Sequence, residues 1–259
     1  VLVGQFQLSH SANPISPVTN IDFKKAYADH VADLENRLGA DEALKQAIGG
    51  EFIAVGKLEY HLLRSLGLAD GHMVIDVGCG SGRLACQLAP FDGISYLGCD
   101  VVQSLLDHAK SLSRRADWKF ELTDGTSIPA REGVADYAVF FSVFTHLLHE
   151  DSFKYFREAA RVLKPGGYLV MSFLEFKLPM HWSIFVASVE NTQPGQHLNQ
   201  FIERDAIEAW AEHSGFSVES IQGGDTAQIP IPEEIIFEDG TKWGNFGAFG
   251  QSIAILRKR

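Results

Sequence analysis

Between Met73 and Ala85 the sequence reads MVIDVGCGSGRLA. A short apolar run meets glycines at 78, 80 and 82, and Arg83 with small apolar residues follows. Glycine reaches backbone conformations closed to other residues and lets the main chain approach another group closely. A strand, a glycine turn and a helical restart open a βα unit. The turn then lies at the carboxyl edge of the sheet, where open α/β sheets bind ligands.

The rest of the chain repeats that rhythm. Short apolar runs recur at SYLGCD (95–100), WKFEL (118–122), ADYAVFFSV (135–143) and GYLVMSFL (167–174). Between them, VVQSLLDHAKSL and DSFKYFREAARVL carry apolar residues at helical spacing. Strands alternating with helices imply right-handed crossovers and a parallel sheet. Strands apolar at nearly every position fit a sheet covered on both faces.

Upstream, DFKKAYADHVADLENRLG and EFIAVGKLEYHLLRSLG read as helices ending at Gly39 and Gly67, and residues 1–20 read as loosely ordered. Residues 1–50 are expected to form an extension and helical cap, and 51–259 the main domain. After residue 174 the rhythm breaks. Residues 177–202 read as an aromatic, His-containing insertion, RDAIEAWAEHSGF as a helix closed by Gly215, and 224–249 as a long loop between the strands SVESIQGG and QSIAILRK.

Composition narrows the partners. The net charge of -11 disfavours a nucleic-acid backbone binder, which gains affinity by neutralising phosphates. No stretch approaches the roughly 18 consecutive apolar residues of a membrane span. The N-terminal segment lacks the basic start of a signal peptide. Cys79, Cys86 and Cys99 are odd in number and lack metal-like spacing, so they read as reduced thiols and the chain as cytoplasmic.

Two nucleotide-site patterns fail on the glycine turn. A dinucleotide fingerprint needs G-x-G-x-x-G, but the position of its third glycine is Arg83; no G-K-[ST] follows for a P-loop. Asp100 ends the second strand, 22 residues after Gly78, where a carboxylate can accept hydrogen bonds from ribose hydroxyls. Helix capping is its alternative role. Asp124 follows the third strand and suits either an adenine edge or ordinary turn chemistry.

With these motifs in order, the chain resembles a class I S-adenosylmethionine-dependent methyltransferase. VIDVGCGSG matches the family's first motif, Asp100 its ribose-binding acid and Asp124 its adenine-side acid. ADYAVFFSVFTHL matches the fourth-strand motif, and RVLKPGGYLVMSF the turn into the fifth strand. The resemblance covers about residues 50–175. It implies a Rossmann-like, doubly wound seven-stranded sheet of order 3-2-1-4-5-7-6, the last strand antiparallel. It also implies S-adenosylmethionine as cofactor, bound by Asp76, Gly78, Cys79, Gly80, Gly82, Arg83, Asp100, Val101, Asp124, Gly125, Phe141 and Ser142. Asp76 suits a structural role equally well.

In this family the segment after the fourth strand faces the sulfur and the acceptor. His146, with its near-neutral pKa, is therefore a candidate base or a packed histidine. Phe141 and Phe144 suit the surroundings of a cation. His181, Trp182 and His197, with Asn199 and Gln200, lie in the insertion and are candidate acceptor contacts. The resemblance also excludes chemistries. FSVF replaces the Asn/Asp-Pro-Pro-aromatic run of DNA amino-methyltransferases, Phe141-Ser142 replaces a metal-binding Asp, and no Cys beyond residue 99 serves cytosine-carbon methylation. The expectation is a metal-independent enzyme, monomer or homodimer, methylating an O or N nucleophile of a small molecule, such as a saccharide or secondary metabolite. A protein methyltransferase and a non-catalytic cofactor-binding module are the alternatives.

Overall fold

The computed structural model describes residues 23–39, 51–190 and 199–259. Helix α1 (Phe23–Leu38) and helix α2 (Phe52–Ser65) precede the sheet. Then follow β1 (Met73–Val77), α3 (Arg83–Leu88), β2 (Ser95–Asp100), α4 (Gln103–Ser113), β3 (Lys119–Leu122) and β4 (Ala135–Phe140). A single 3-10 turn, Phe144–His146, leads to α5 (His149–Val162) and the long β5 (Leu163–Phe173). Beyond it lie α6 (Pro179–Glu190), α7 (Arg204–Ser214), β6 (Phe216–Gln222), β7 (Ile229–Ile236), β8 (Lys242–Gly247) and β9 (Ser252–Lys258).

Seven strands form one sheet in the order β3-β2-β1-β4-β5-β9-β6. The first five are parallel, and β9 runs antiparallel to both β5 and β6. Counting strands of this sheet alone, that is the expected 3-2-1-4-5-7-6 order.

Successive strand residues point to opposite faces, and the core divides accordingly. Ile75, Val77 and Phe140 join Tyr155 and Phe156 of α5 and Ile207 of α7 on one face. Val74, Val139 and Phe141 join Leu58 of α2, Leu84 of α3 and Ile231 of β7 on the other.

The expectation of a loop over 224–249 is corrected: β7 and β8 pair antiparallel as a separate two-stranded sheet. Pro230, Pro232 and the glycines hide a strand pattern. Ile229, Ile231 and Ile235 nevertheless point into the α2 face and are buried there. Expected β4 is also shortened: it ends at Phe140, because Ser142 takes a left-handed backbone at φ 60°.

Gly82 begins α3 at φ 95°, and a Cβ there would lie 2.8 Å from the Cα of Ala109 in α4. The Gly82→Ala variant therefore carries both backbone strain and a backbone clash. A loss of about 2 kcal/mol or more in chemical denaturation is expected; an unchanged midpoint would show that α3 and α4 can move apart freely.

Candidate active site

The glycine loop lies back against β2. Gly78 and Cys79 both donate their N–H groups to the Cys99 carbonyl, at 2.7 and 3.0 Å. Gly78 and Gly80 have φ of 72° and 54°. A Cβ at Gly78 would come within 2.4 Å of Val143, so the chain leaving β4 presses on the loop. Cys79 contributes backbone only: its thiol is buried against Gly98, and burial pushes its pKa well up.

Asp100 fastens this loop. One carboxylate oxygen accepts the Gly80 N–H at 2.9 Å, and the other accepts those of Val101 and Val102 at 2.8 and 3.0 Å. Val101 and Val102 lead into α4, whose N-cap Val102 carries no side-chain cap, so Asp100 fastens the approach to the helix rather than capping it. An ionised carboxylate offers about four acceptor sites, so one remains for a ligand hydroxyl. Burial raises the Asp100 pKa to about 6 against the pull of the three backbone donors.

Asp76 is buried in β1 and accepts the Tyr96 hydroxyl at 2.7 Å, which is the structural reading of that residue. Burial lifts its pKa to about 7; Tyr96 opposes that rise, and the charge of Glu59 adds to it. Both aspartates therefore bind protons more tightly folded than unfolded. Their stabilising contribution is full below about pH 4 and is lost as pH climbs through about 6 and 7. The carboxylates held low by partners, such as Asp124 and Glu158, are already ionised in both states above about pH 5. The protein should melt higher at pH 5.5 than at pH 8, and Asp76→Asn should flatten that slope. A melting temperature that rises from pH 5.5 to 8 would contradict the assignment.

Arg83 was expected at the cofactor. Its guanidinium instead pairs with Glu59 of α2, Nε to Oε1 at 2.9 Å and a terminal nitrogen to the same oxygen at 2.6 Å. Both residues are buried. A Cβ at Gly56 would meet the Arg83 carbonyl at 2.8 Å, so α2 and the start of α3 are in close contact. The pair joins those two helices; the reason is a partner 24 residues upstream that no local pattern marks.

Asp124 is exposed and caps its own turn. One oxygen accepts the N–H groups of Thr126 and Ser127 at 2.9 and 3.0 Å, which hold its pKa low. Gly125 makes the turn at φ 84°.

At the end of β4, Ser142 donates its N–H to Ser172 Oγ at 2.7 Å. Both serine hydroxyls donate to the Gln251 carboxamide oxygen, at 3.3 and 2.6 Å. These bonds hold the left-handed Ser142, a conformation that costs roughly 1–3 kcal/mol. Phe141 is buried against Phe249, with centroids 5.4 Å apart, and so faces the α2 layer. Phe144 is fully buried on the opposite face, among Phe140 and Phe156. That burial is a correction to its expected place beside a cation. The half-buried His146 stacks on Tyr27 of α1, ring centroids 6.4 Å apart at 20°.

In the insertion, His181 is fully buried. Its Nδ1 accepts the Glu175 N–H at 3.1 Å, so Nε2 carries the proton and donates to the Gly250 carbonyl at 2.8 Å. Both ring nitrogens are used within the fold. This corrects the expectation of an acceptor contact: His181 ties α6 to the segment entering β9. Trp182 is half exposed, among Phe176 and Phe185. Asn199 donates to Ser188 at 2.9 Å, and the Gln200 N–H donates to the Thr145 carbonyl at 2.7 Å, bringing the insertion beside His146. His197 lies outside the described residues.

Sequence reasoning missed Glu59, Tyr27, Gln251 and Ser81. The Ser81 hydroxyl is buried in the glycine loop with no hydrogen-bond partner among the described residues. Only its place among the glycines could have pointed to it. No cluster of three or more His, Cys, Asp or Glu side chains suited to a metal occurs among the described residues.

Residues 75–171 match the family described as a methyltransferase domain. The chain is 26% identical over 184 residues to the 27-O-demethylrifamycin SV methyltransferase of Amycolatopsis mediterranei, covering 69% of this chain and 65% of that one. It is 31% identical over 101 residues to a mouse tRNA (carboxymethyluridine(34)-5-O)-methyltransferase, covering 39% of this chain and 14% of that one. It spans 42–65% of the length of the first curated relatives. Among solved structures, magnesium protoporphyrin IX methyltransferase from Synechocystis PCC 6803, with bound S-adenosylhomocysteine, superposes with a TM-score of 0.61 at 16% identity, covering 91% of this chain and 98% of that one. The strand order is the one the resemblance implies, and over residues 75–171 the chain is matched by the methyltransferase-domain family.

Proposed function

We propose that this protein is an S-adenosylmethionine-dependent methyltransferase acting on an O or N nucleophile of a small molecule, a secondary metabolite or a saccharide. The observation that carries the reading is the glycine loop fastened to Asp100 at the carboxyl edge. The residues fit the cofactor. Asp100 keeps acceptor capacity for ribose hydroxyls, and the buried Ser81 hydroxyl lacks a partner among the described residues, a state that costs roughly 1–3 kcal/mol and that a polar ligand end would relieve. The backbone of Gly78, Gly80 and Val101, and the turn at Asp124 and Gly125, complete the cradle. Arg83 supports it from behind through Glu59.

When bound, the cofactor supplies an activated methyl group on sulfur. The protein's part is alignment of the nucleophile and, for a hydroxyl, removal of its proton. Ser142 and His146 stand at the strand end where that acceptor belongs, and we assign the imidazole of His146 to take the proton. Trp182 and its aromatic neighbours suit an apolar acceptor body.

The small-molecule reading is supported by the rifamycin-modifying relative and by the net charge of -11, which opposes a polyanionic RNA. No helix among the described residues is long and apolar enough to cross a membrane.

Titration calorimetry with S-adenosylmethionine and S-adenosylhomocysteine tests the cofactor: micromolar binding of both is expected, and no heat with either sinks the reading. Labelled methyl transfer to a panel of hydroxylated small molecules then tests the acceptor. With an acceptor in hand, His146→Ala should lower kcat about 100-fold or more, far beyond the roughly tenfold or smaller change in cofactor affinity that loss of its ring contact brings. Unchanged turnover would leave His146 as a packing residue.

A further inference from the structure

Helix α1 holds two parts of the site at once. Val31 is buried with Val102 and Leu105, and Tyr27, Leu34 and Val101 pack around them. Val101 and Val102 are the residues whose amides hold Asp100. From the same helix, the Tyr27 ring lies stacked on His146, beyond the end of β4. One side chain therefore packs against the cluster that holds Val102 and stacks on the candidate base. These two groups sit at the ends of different strands, β2 and β4, with β1 between them.

We propose that Tyr27 is a positioning residue that couples the two halves of the site: cofactor capture at Asp100 orders α1, and α1, through the Tyr27 ring, sets the His146 imidazole for the acceptor. The inference rests on the methyltransferase reading. It makes the base competent only when the cofactor is in place, so an acceptor arriving first meets an unaligned imidazole.

The physical basis is contact geometry. Stacked rings within about 7 Å attract by roughly 0.5–1.5 kcal/mol beyond their buried area, which orients an imidazole without fixing the helix irreversibly. The environment of the Tyr27 hydroxyl agrees. Burial raises its pKa, and the charge of Asp100 raises it further, so the phenol stays protonated beside that acid. On the outward face of the helix Lys25 and Asp29 form an exposed pair at 2.8 Å.

The test needs no acceptor. S-adenosylhomocysteine is added to the full chain while the His146 ring resonances are followed by NMR, and its release is timed by stopped-flow displacement. In the unaltered protein the cofactor product should shift the His146 resonances. Tyr27→Leu should abolish that shift and speed release roughly three- to tenfold, the range a lost ring pair implies. Tyr27→Phe keeps the ring and should retain both behaviours. Lys25→Ala, at an exposed position of α1 away from the ring pair, should match the unaltered protein. The coupling is overturned if His146 responds fully in Tyr27→Leu, or if Lys25→Ala behaves like Tyr27→Leu. Absence of binding to the unaltered protein would instead strike the cofactor reading itself.

Discussion

Asp100→Ala should all but abolish binding of S-adenosylmethionine and S-adenosylhomocysteine. The carboxylate makes three bonds to backbone N–H groups and keeps one acceptor site for the ligand. Each bond to a charged group contributes roughly 1.5–3 kcal/mol. Losing the ligand bond together with the loop's fastening should weaken affinity by about 100-fold or more, read by calorimetry. Asp100→Asn retains an oxygen for Val101 and Val102 but turns an amide toward the Gly80 N–H, so its loss should be intermediate. Protonation has a related consequence. With its pKa near 6, Asp100 is ionised at pH 8 and largely neutral at pH 5, so affinity should fall on acidification. Full affinity in Asp100→Ala would mean that neither the loop nor the ligand depends on this carboxylate.

The second large effect belongs to the Glu59–Arg83 pair. Arg83→Met removes the partner of a buried carboxylate, and uncompensated burial of that kind costs about 3–5 kcal/mol. Burial already holds the Glu59 pKa above its usual value despite Arg83. The destabilisation should therefore be greatest at pH 8 and shrink toward pH 5, where Glu59 can take up a proton. The double variant Glu59→Leu/Arg83→Met should recover most of the loss, because a packed apolar pair replaces a desolvated ionic one. Denaturation midpoints of the unaltered protein and these two variants at both pH values decide it. A single Arg83→Met loss below about 1 kcal/mol would place the pair in the class of surface bridges.

What was legible in the sequence follows from range. Strands β1 and β2 match their expected spans residue for residue, because an apolar run bounded by glycine or by Asp100 is a local signal. Gly215 ends α7 in a left-handed conformation, as a helix stop should. The strand order became legible only through family resemblance, since pairing is a long-range property.

The misplaced residues share the opposite trait. Arg83 and His181 carry chemistry that suits a ligand, but their partners, Glu59 and Gly250, lie 24 and 69 residues away. Nothing in the local spelling separates a side chain satisfied inside the fold from one aimed at a ligand. The β7–β8 hairpin stayed hidden for a different reason. Its prolines and glycines spell a loop, and only the α2 face, which needs covering, makes a sheet of it.

The place of β9 also sets a schedule for folding. It is inserted between β5 and β6, so β6 has no neighbour in the sheet until the strand that follows it in sequence has arrived. Ser252, at its start, donates to Glu175 at 2.6 Å, and Arg204 grips the same carboxylate at 2.7 and 2.8 Å. Gln251 and Gly250, which steady Ser142 and His181, arrive on that same strand end. A nascent chain can therefore assemble the cofactor half of the sheet while it is still being synthesised. The acceptor half becomes rigid only once β9 closes the gap. Such distant pairing is slow to form, so the acceptor side should be the late-folding half of the molecule.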